Sequence, residues 1–141
     1  VRLIVSDNHQ GLRAAIKARF GSVPHQRCQF HLIQNAMDHV PKLALRPKVL
    51  EEIRSILHAP NKLTAQALLR QMVETYSKSA PELAAWLESN VPESFTVFDL
   101  PPEHRVKMRT SNMIERVNQV SAVGQSVPPP VEITGFKVYH F

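Results

Sequence analysis

The stretch VRLIVSDNHQGL, residues 1–12, decides how the chain is read. Residues 2–6, RLIVS, are apolar and largely β-branched and predict a buried strand. The run stops at Asp7, and a polar turn leads into a different period. Over Gly11–Phe20, Leu12, Ile16 and Phe20 recur every four residues with Ala15 beside them, which is one face of a helix. Arg13, Lys17 and Arg19 fall off that stripe and face outward. Asp7 therefore stands at the carboxyl end of a buried strand, where α/β sheets place chemistry. It also stands where an ordinary helix cap belongs. The local pattern leaves both readings open.

Working outward, Gly21-Ser22-Val23-Pro24 ends the first helix, and Gln26–Phe30 predicts a second short strand. His31–Val40 predicts a helix that Pro41 stops. The next stretch, to about residue 90, lacks glycine and predicts an all-helical block. Val49, Ile53, Ile56 and Leu57 mark its first helix, and Leu68, Leu69, Met72, Val73 and Tyr76 mark its second. A third starts at Pro81 and buries Leu83, Trp86 and Leu87. Ser94–Leu100, SFTVFDL, alternates like a short strand, and Glu103–Met108 predicts one helical turn. Thr110-Ser111-Asn112 reads as a helix start, with Ile114 and Val117 apolar. Gly124 and Pro128-Pro129-Pro130 forbid that helix from continuing. Residues 131–141, VEITGFKVYHF, have strand composition around a Thr134-Gly135 turn.

At 141 residues the chain is one domain's worth, long enough to bury a core. Its 43% apolar content is ordinary, and no stretch approaches a membrane span. A single cysteine excludes an internal disulfide framework and points to a reducing compartment. The net charge of +5 favours a polyanionic partner such as nucleic acid. Val1 begins inside a strand-like run with no signal peptide pattern, which predicts a piece of a longer protein.

Three groups of residues carry candidate chemistry. Asp7 is the first. Glu115 is the second: with Asn112 three residues before it, it fits a capping box, and it is also an acid that can face the strand ending at Asp7. Arg116 and Asn118 beside it then reach phosphate oxygens. Cys28 and His31 are the third, but a structural zinc needs four ligands and no second cysteine exists. Cys28 reads instead as a small buried group at a strand end, and His31 as a residue that bonds a neighbour or caps a helix. Arg105, Lys107 and Arg109 form a cationic patch just upstream of Glu115. No glycine-rich phosphate loop is present.

Three segments, VSDNHQGLRAAIKARF (5–20), QRCQFHLIQNAMDHVPK (26–42) and FDLPPEHRVKMRTSNMIERVN (98–118), together resemble the bacterial insertion-sequence transposases of the Mutator type. The resemblance runs from residue 1 to about Asn118. It rests on the C-x-x-H pair, the P-x-E-H-x-x-x-x-R-T-[ST]-N segment and the closing E-R-x-N, all in the family's order.

The resemblance implies an α/β, helix-rich fold: a partial ribonuclease-H-like core interrupted by an all-α insertion. On that basis residues 1–42 are core, 43–92 the insertion, 93–121 a return to the core, and 122–141 a divergent tail, as from a reading-frame shift. It implies an Asp-Asp-Glu triad whose second Asp is Asp7 and whose Glu is Glu115. Both would ligate Mg²⁺ or Mn²⁺, with Cys28, His31, Asn112, Arg116 and Asn118 supporting them. Arg105, Lys107 and Arg109 would hold DNA. The triad's first Asp lies on an earlier strand in the family, so residues 1–141 hold at most two of the three acids. The strands that should flank residues 2–6 are also expected to be missing. The expected function is cut-and-paste DNA transposition in the bacterial cytoplasm, on transposon ends and target DNA, by a homo-oligomeric parent with no membrane contact. The chain alone is expected to be an inactive, marginally stable remnant. The alternatives are a non-catalytic basic DNA-binding module and a helical interaction protein whose charge is incidental.

Overall fold

The computed structural model of the chain describes residues 3–109 and, as two further strands, 131–133 and 136–139. Strand β1 is Leu3–Ser6, followed by helix α1, Gln10–Phe20. Strand β2, His25–Arg27, leads into α2, Gln29–Met37. Three helices follow in succession: α3 over Arg46–Leu57, α4 over Lys62–Tyr76 and α5 over Pro81–Asn90. Two 3₁₀ turns, Val91–Ser94 and Thr96–Asp99, and a one-turn helix α6, Pro102–Arg105, complete this part. Strands β3, Val131–Ile133, and β4, Phe136–Tyr139, close the sheet. The chain is helix-rich α/β.

The sheet has the order β2-β1-β4-β3. β1 runs parallel to β2 and antiparallel to β4, and β3 is antiparallel to β4. All four residues of β1 are buried, because both faces of the strand are covered. Leu3 and Val5 enter the main core with Cys28, Leu32 and the apolar faces of α3–α5. Ile4 points the other way and packs on Ile16, with Leu12, Phe20 and Val23 around them. This two-residue alternation between two covered faces is why the strand reads as a continuous apolar run.

The expected helices form, with shifts at their ends. The expected second strand is cut short: β2 stops at Arg27, Cys28 caps α2, and Gln29 and Phe30 are already helical. The expected strand over Ser94–Leu100 is absent, and the 3₁₀ turns stand there instead. Burial in this segment falls on Ser94 and Val97 and on Phe95 and Phe98, a spacing of three rather than two. Side chains replace a backbone ladder along β2. The fully buried Gln26 amide donates to the carbonyls of Arg27 and Ser94, both at 2.9 Å, and its oxygen accepts from Val97 N–H at 2.9 Å. Thr96 Oγ1 donates to the His25 carbonyl at 2.6 Å, and Ser94 Oγ to that of Arg27 at 3.1 Å.

The edge of β1 away from β2 is also paired. The family's own flanking strands are expected to be missing from residues 1–141, and the strand that lies along this edge over the whole of Leu3–Ser6 is β4, from the tail. The tail does form two strands either side of residues 134–135 as expected.

Candidate active site

Asp7 follows the last residue of β1 and is half-buried. Its Oδ1 accepts from the backbone N–H of His9 at 3.3 Å. The capping role belongs to His9, whose Nδ1 accepts from Leu12 N–H at 3.4 Å. Asp7 is therefore not the helix cap. Among the described residues it has no salt-bridge partner, and most of its acceptor capacity is uncommitted.

The backbone at this strand end is held from β2. Ser6 Oγ donates its one proton to the Asp7 carbonyl at 3.0 Å and lies 2.6 Å from His25 Nε2. Ser6 Oγ and His25 Nε2 thus share a hydrogen bond whose direction follows the imidazole tautomer. Burial, and secondarily the charge of Arg13, lowers the His25 pKa below its ordinary value, against a smaller opposing effect of Glu93. The neutral ring is favoured at this position.

Cys28 is fully buried where β2 meets α2, as read from its place in the sequence. Its N–H donates to the Ser6 carbonyl at 2.7 Å, and the next N–H, of Gln29, donates to the Arg109 carbonyl at 2.9 Å. Residues 6, 28 and 109 thus meet at one end of the sheet. His31 is half-buried, its ring edge-on to Phe30 at 5.4 Å, and its buried Nδ1 has no hydrogen-bond partner among the described residues. Asn112, Glu115, Arg116 and Asn118 lie outside the described residues. No group of three His, Cys, Asp or Glu side chains suited to a metal occurs among the described residues. Asp7 fits as one hard oxygen ligand.

The basic patch divides by role. The Arg105 guanidinium donates to the carbonyls of Leu100, Pro60 and Phe98 at 2.9, 3.0 and 3.2 Å and lies over the Phe98 ring. It brackets the 3₁₀ segment to the α3–α4 connection. Arg109 is half-buried with its Nε unpartnered, and its pKa is lowered by burial and then by the charge of Arg105. Lys107 is half-buried on the same segment.

Sequence reasoning passed over Arg27. It is 2% exposed and donates through Nη1 to Asn90 at 2.8 Å and to Glu93 at 3.0 Å. Its guanidinium lies 5.7 Å from the centre of the Trp86 ring, which stacks on His39 at 5.0 Å. Glu93 also takes Arg13 of α1 at 3.1 Å. The available signal was an arginine inside a strand-like segment, QRCQF.

Residues 1–122 match the sequence model of the Mutator family of transposases. The chain belongs to that family. It is 45% identical over 119 residues to the transposase for insertion sequence element IS406 of Burkholderia multivorans, covering 84% of this chain and 31% of that protein. It is 34% identical over 119 residues to the transposase for element ISRM5 of Rhizobium meliloti, covering 84% and 30%. It is 31% identical over 113 residues to the transposase for element IST2 of Acidithiobacillus ferrooxidans, covering 80% and 38%. The chain spans about a third of the length of these curated relatives. No helix among the described residues is long and apolar enough to cross a membrane.

Proposed function

We propose that this Mutator-family segment is part of the catalytic domain of a DNA transposase that works by metal-dependent phosphoryl transfer. The carrying observation is the convergence at one sheet end. Asp7 closes β1, and the carbonyl of Arg109, six residues before Glu115, is tied beside it through Gln29 and Cys28. This supports a ribonuclease-H-like core in which Asp7 and Glu115 ligate Mg²⁺ or Mn²⁺, with the helices over 43–92 as an insertion. When bound, such ions stabilise the entering and leaving oxygens of an in-line displacement at phosphorus.

The chain's own residues bind and orient. Lys107, Arg109 and Arg116 hold the DNA backbone, Asn112 and Asn118 assist, and Cys28 and His31 support the strand end. On this reading residues 1–141 supply two acids of the triad, Asp7 and Glu115. The whole protein acts on transposon ends and target DNA as a homo-oligomer in the bacterial cytoplasm. Titrating the chain with Mn²⁺ tests the reading. The amide signals of Asp7 and Asn8 broaden, and Asp7→Asn abolishes the effect. Unbroadened signals there overturn it.

Arg109 favours a second reading, a DNA-binding module without catalysis. A half-buried guanidinium with an unpartnered Nε beside a like charge gains from an arriving phosphate. Duplex affinity that is salt-dependent, insensitive to chelator and unchanged by Asp7→Asn supports this reading over the first.

A further inference from the structure

Asp7 sits in a turn, residues 7–9, whose described hydrogen bonds run to residues 6–13. One side chain of that circle also reaches far outside it. Arg13 Nη1 donates to Asn8 Oδ1 at 2.6 Å, and Arg13 Nη2 donates to Glu93 Oε1 at 3.1 Å. A single guanidinium thus spans the residue next to Asp7 and the 3₁₀ turn that follows α5.

Glu93 is itself held from the interior. Its second oxygen, Oε2, accepts from Nη1 of Arg27 at 3.0 Å. Arg27 is buried and is held in turn by Asn90 and the Trp86 ring. The carboxylate therefore divides its oxygens between a buried arginine and an exposed one. An exposed ion pair adds little to stability, because ordering two long side chains costs entropy. Here one member is already ordered by its buried partner, and the planar fork of Arg13 sets direction as well as distance. What the pair supplies is geometry at Asn8.

We propose that Glu93 is a positioning residue for Asp7. Its carboxylate holds Arg13, Arg13 holds the Asn8 side chain, and the segment after α5 thereby sets the conformation of the turn that presents the Asp7 carboxylate. Glu93 acts on that turn through Arg13 and not as a ligand. The consequence for metal binding rests on the reading of Asp7 as a ligand; the coupling of Glu93 to the turn does not.

A cycle of Glu93→Ala, Asn8→Ala and the double variant, in the full chain, tests it. The metal-free arm reads backbone order parameters by ¹⁵N relaxation. In Glu93→Ala those of the Asp7 and His9 amides are expected to fall by about 0.1 or more, with Ile53 in α3 and Leu69 in α4 unchanged. In the Asn8→Ala background, Glu93→Ala is expected to add no further loss at the turn. An unchanged turn in Glu93→Ala, a loss shared by Ile53 and Leu69, or an equal loss in the Asn8→Ala background overturns the positioning role. The metal arm reads the Mn²⁺ concentration that half-broadens the Asp7 and His9 amides. Glu93→Ala is expected to raise it by a factor about three times larger in the native background than in Asn8→Ala. The charge removed is the same in both backgrounds, so its direct effect on the cation cancels. Equal factors overturn the claim that the turn's geometry serves the metal. A native chain that Mn²⁺ does not broaden defeats the metal reading instead, and the order parameters then decide the positioning role alone.

Discussion

The backbone N–H of Gln29 donates to the carbonyl of Arg109 at 2.9 Å, across eighty positions of chain. One hydrogen bond therefore ties Arg109 to the first residue of α2. It does so one residue past Cys28, whose own N–H holds the carbonyl of Ser6. The strand end with Asp7 and the backbone at Arg109 share a support.

Glu93 is the counter-charge of a buried arginine. Glu93→Ala leaves the Arg27 guanidinium, 2% exposed, with Asn90 and the Trp86 ring as its remaining partners among the described residues. A loss of about 1–2 kcal/mol is expected in urea unfolding, moderated by the 31% exposure of Glu93. Arg27→Met/Glu93→Ala is expected to cost less than the two single changes summed, since no buried charge is then left unpaired and Arg13, the other partner of Glu93, is exposed.

Gln26 joins β2 to the 3₁₀ segment through three hydrogen bonds. Gln26→Leu keeps the volume but orphans Val97 N–H in the core. A cost of about 2–3 kcal/mol is expected. Ser94→Ala, which removes one hydroxyl donor, is expected to cost about 1 kcal/mol. Thermal or urea denaturation of the two variants checks the order.

Acid destabilisation should trace in part to His25. Its folded-state pKa lies below the unfolded value of 6.5, so below that pH the unfolded chain binds more protons. The stability contribution is complete above pH 6.5 and falls as the pH drops towards the folded-state value. His25→Gln is expected to flatten this part of the pH–stability curve. Arg13→Gln is expected to raise the His25 pKa, seen in an imidazole titration by NMR, because Arg13 contributes to lowering it.

Arg105 and Lys107 should differ in what they contribute to DNA affinity. Arg105→Ala removes three bonds to backbone carbonyls and is expected to lower stability by about 1–2 kcal/mol. Lys107→Ala is expected to reduce the salt slope of duplex binding by about 1. Denaturation and a salt titration of binding, run on both variants, distinguish the roles.

The elements whose apolar residues recur at a fixed period were readable from the sequence. β1, α1 and the three helices after residue 45 bury Val49, Ile53, Leu69, Met72, Leu83 and Leu87 on single faces, as their spacing requires. Ser94–Leu100 misled because its apparent alternation is one selection from a three-residue spacing. Its contacts are also made by side chains of Gln26, Ser94 and Thr96, which backbone periodicity does not register. At the site, the position of Asp7 followed from where an apolar run stops. The roles of Arg27 and Arg105 did not, since both are set by partners more than forty residues away or by carbonyl groups that carry no sequence signature. The cover on β1 was missed because a tail unlike the rest of the chain gives no sign of which edge it will meet.

The β1–β4 pairing also sets an order of events during synthesis. Val5 leaves the ribosome about 130 residues before Lys137. At roughly 5–20 residues per second, that strand waits on the order of ten seconds for its partner. Throughout that interval a nascent chain must keep an aggregation-prone ribbon from meeting its neighbours on the same polysome. Translation across the intervening helices therefore sets how long the β1 edge stays without this partner.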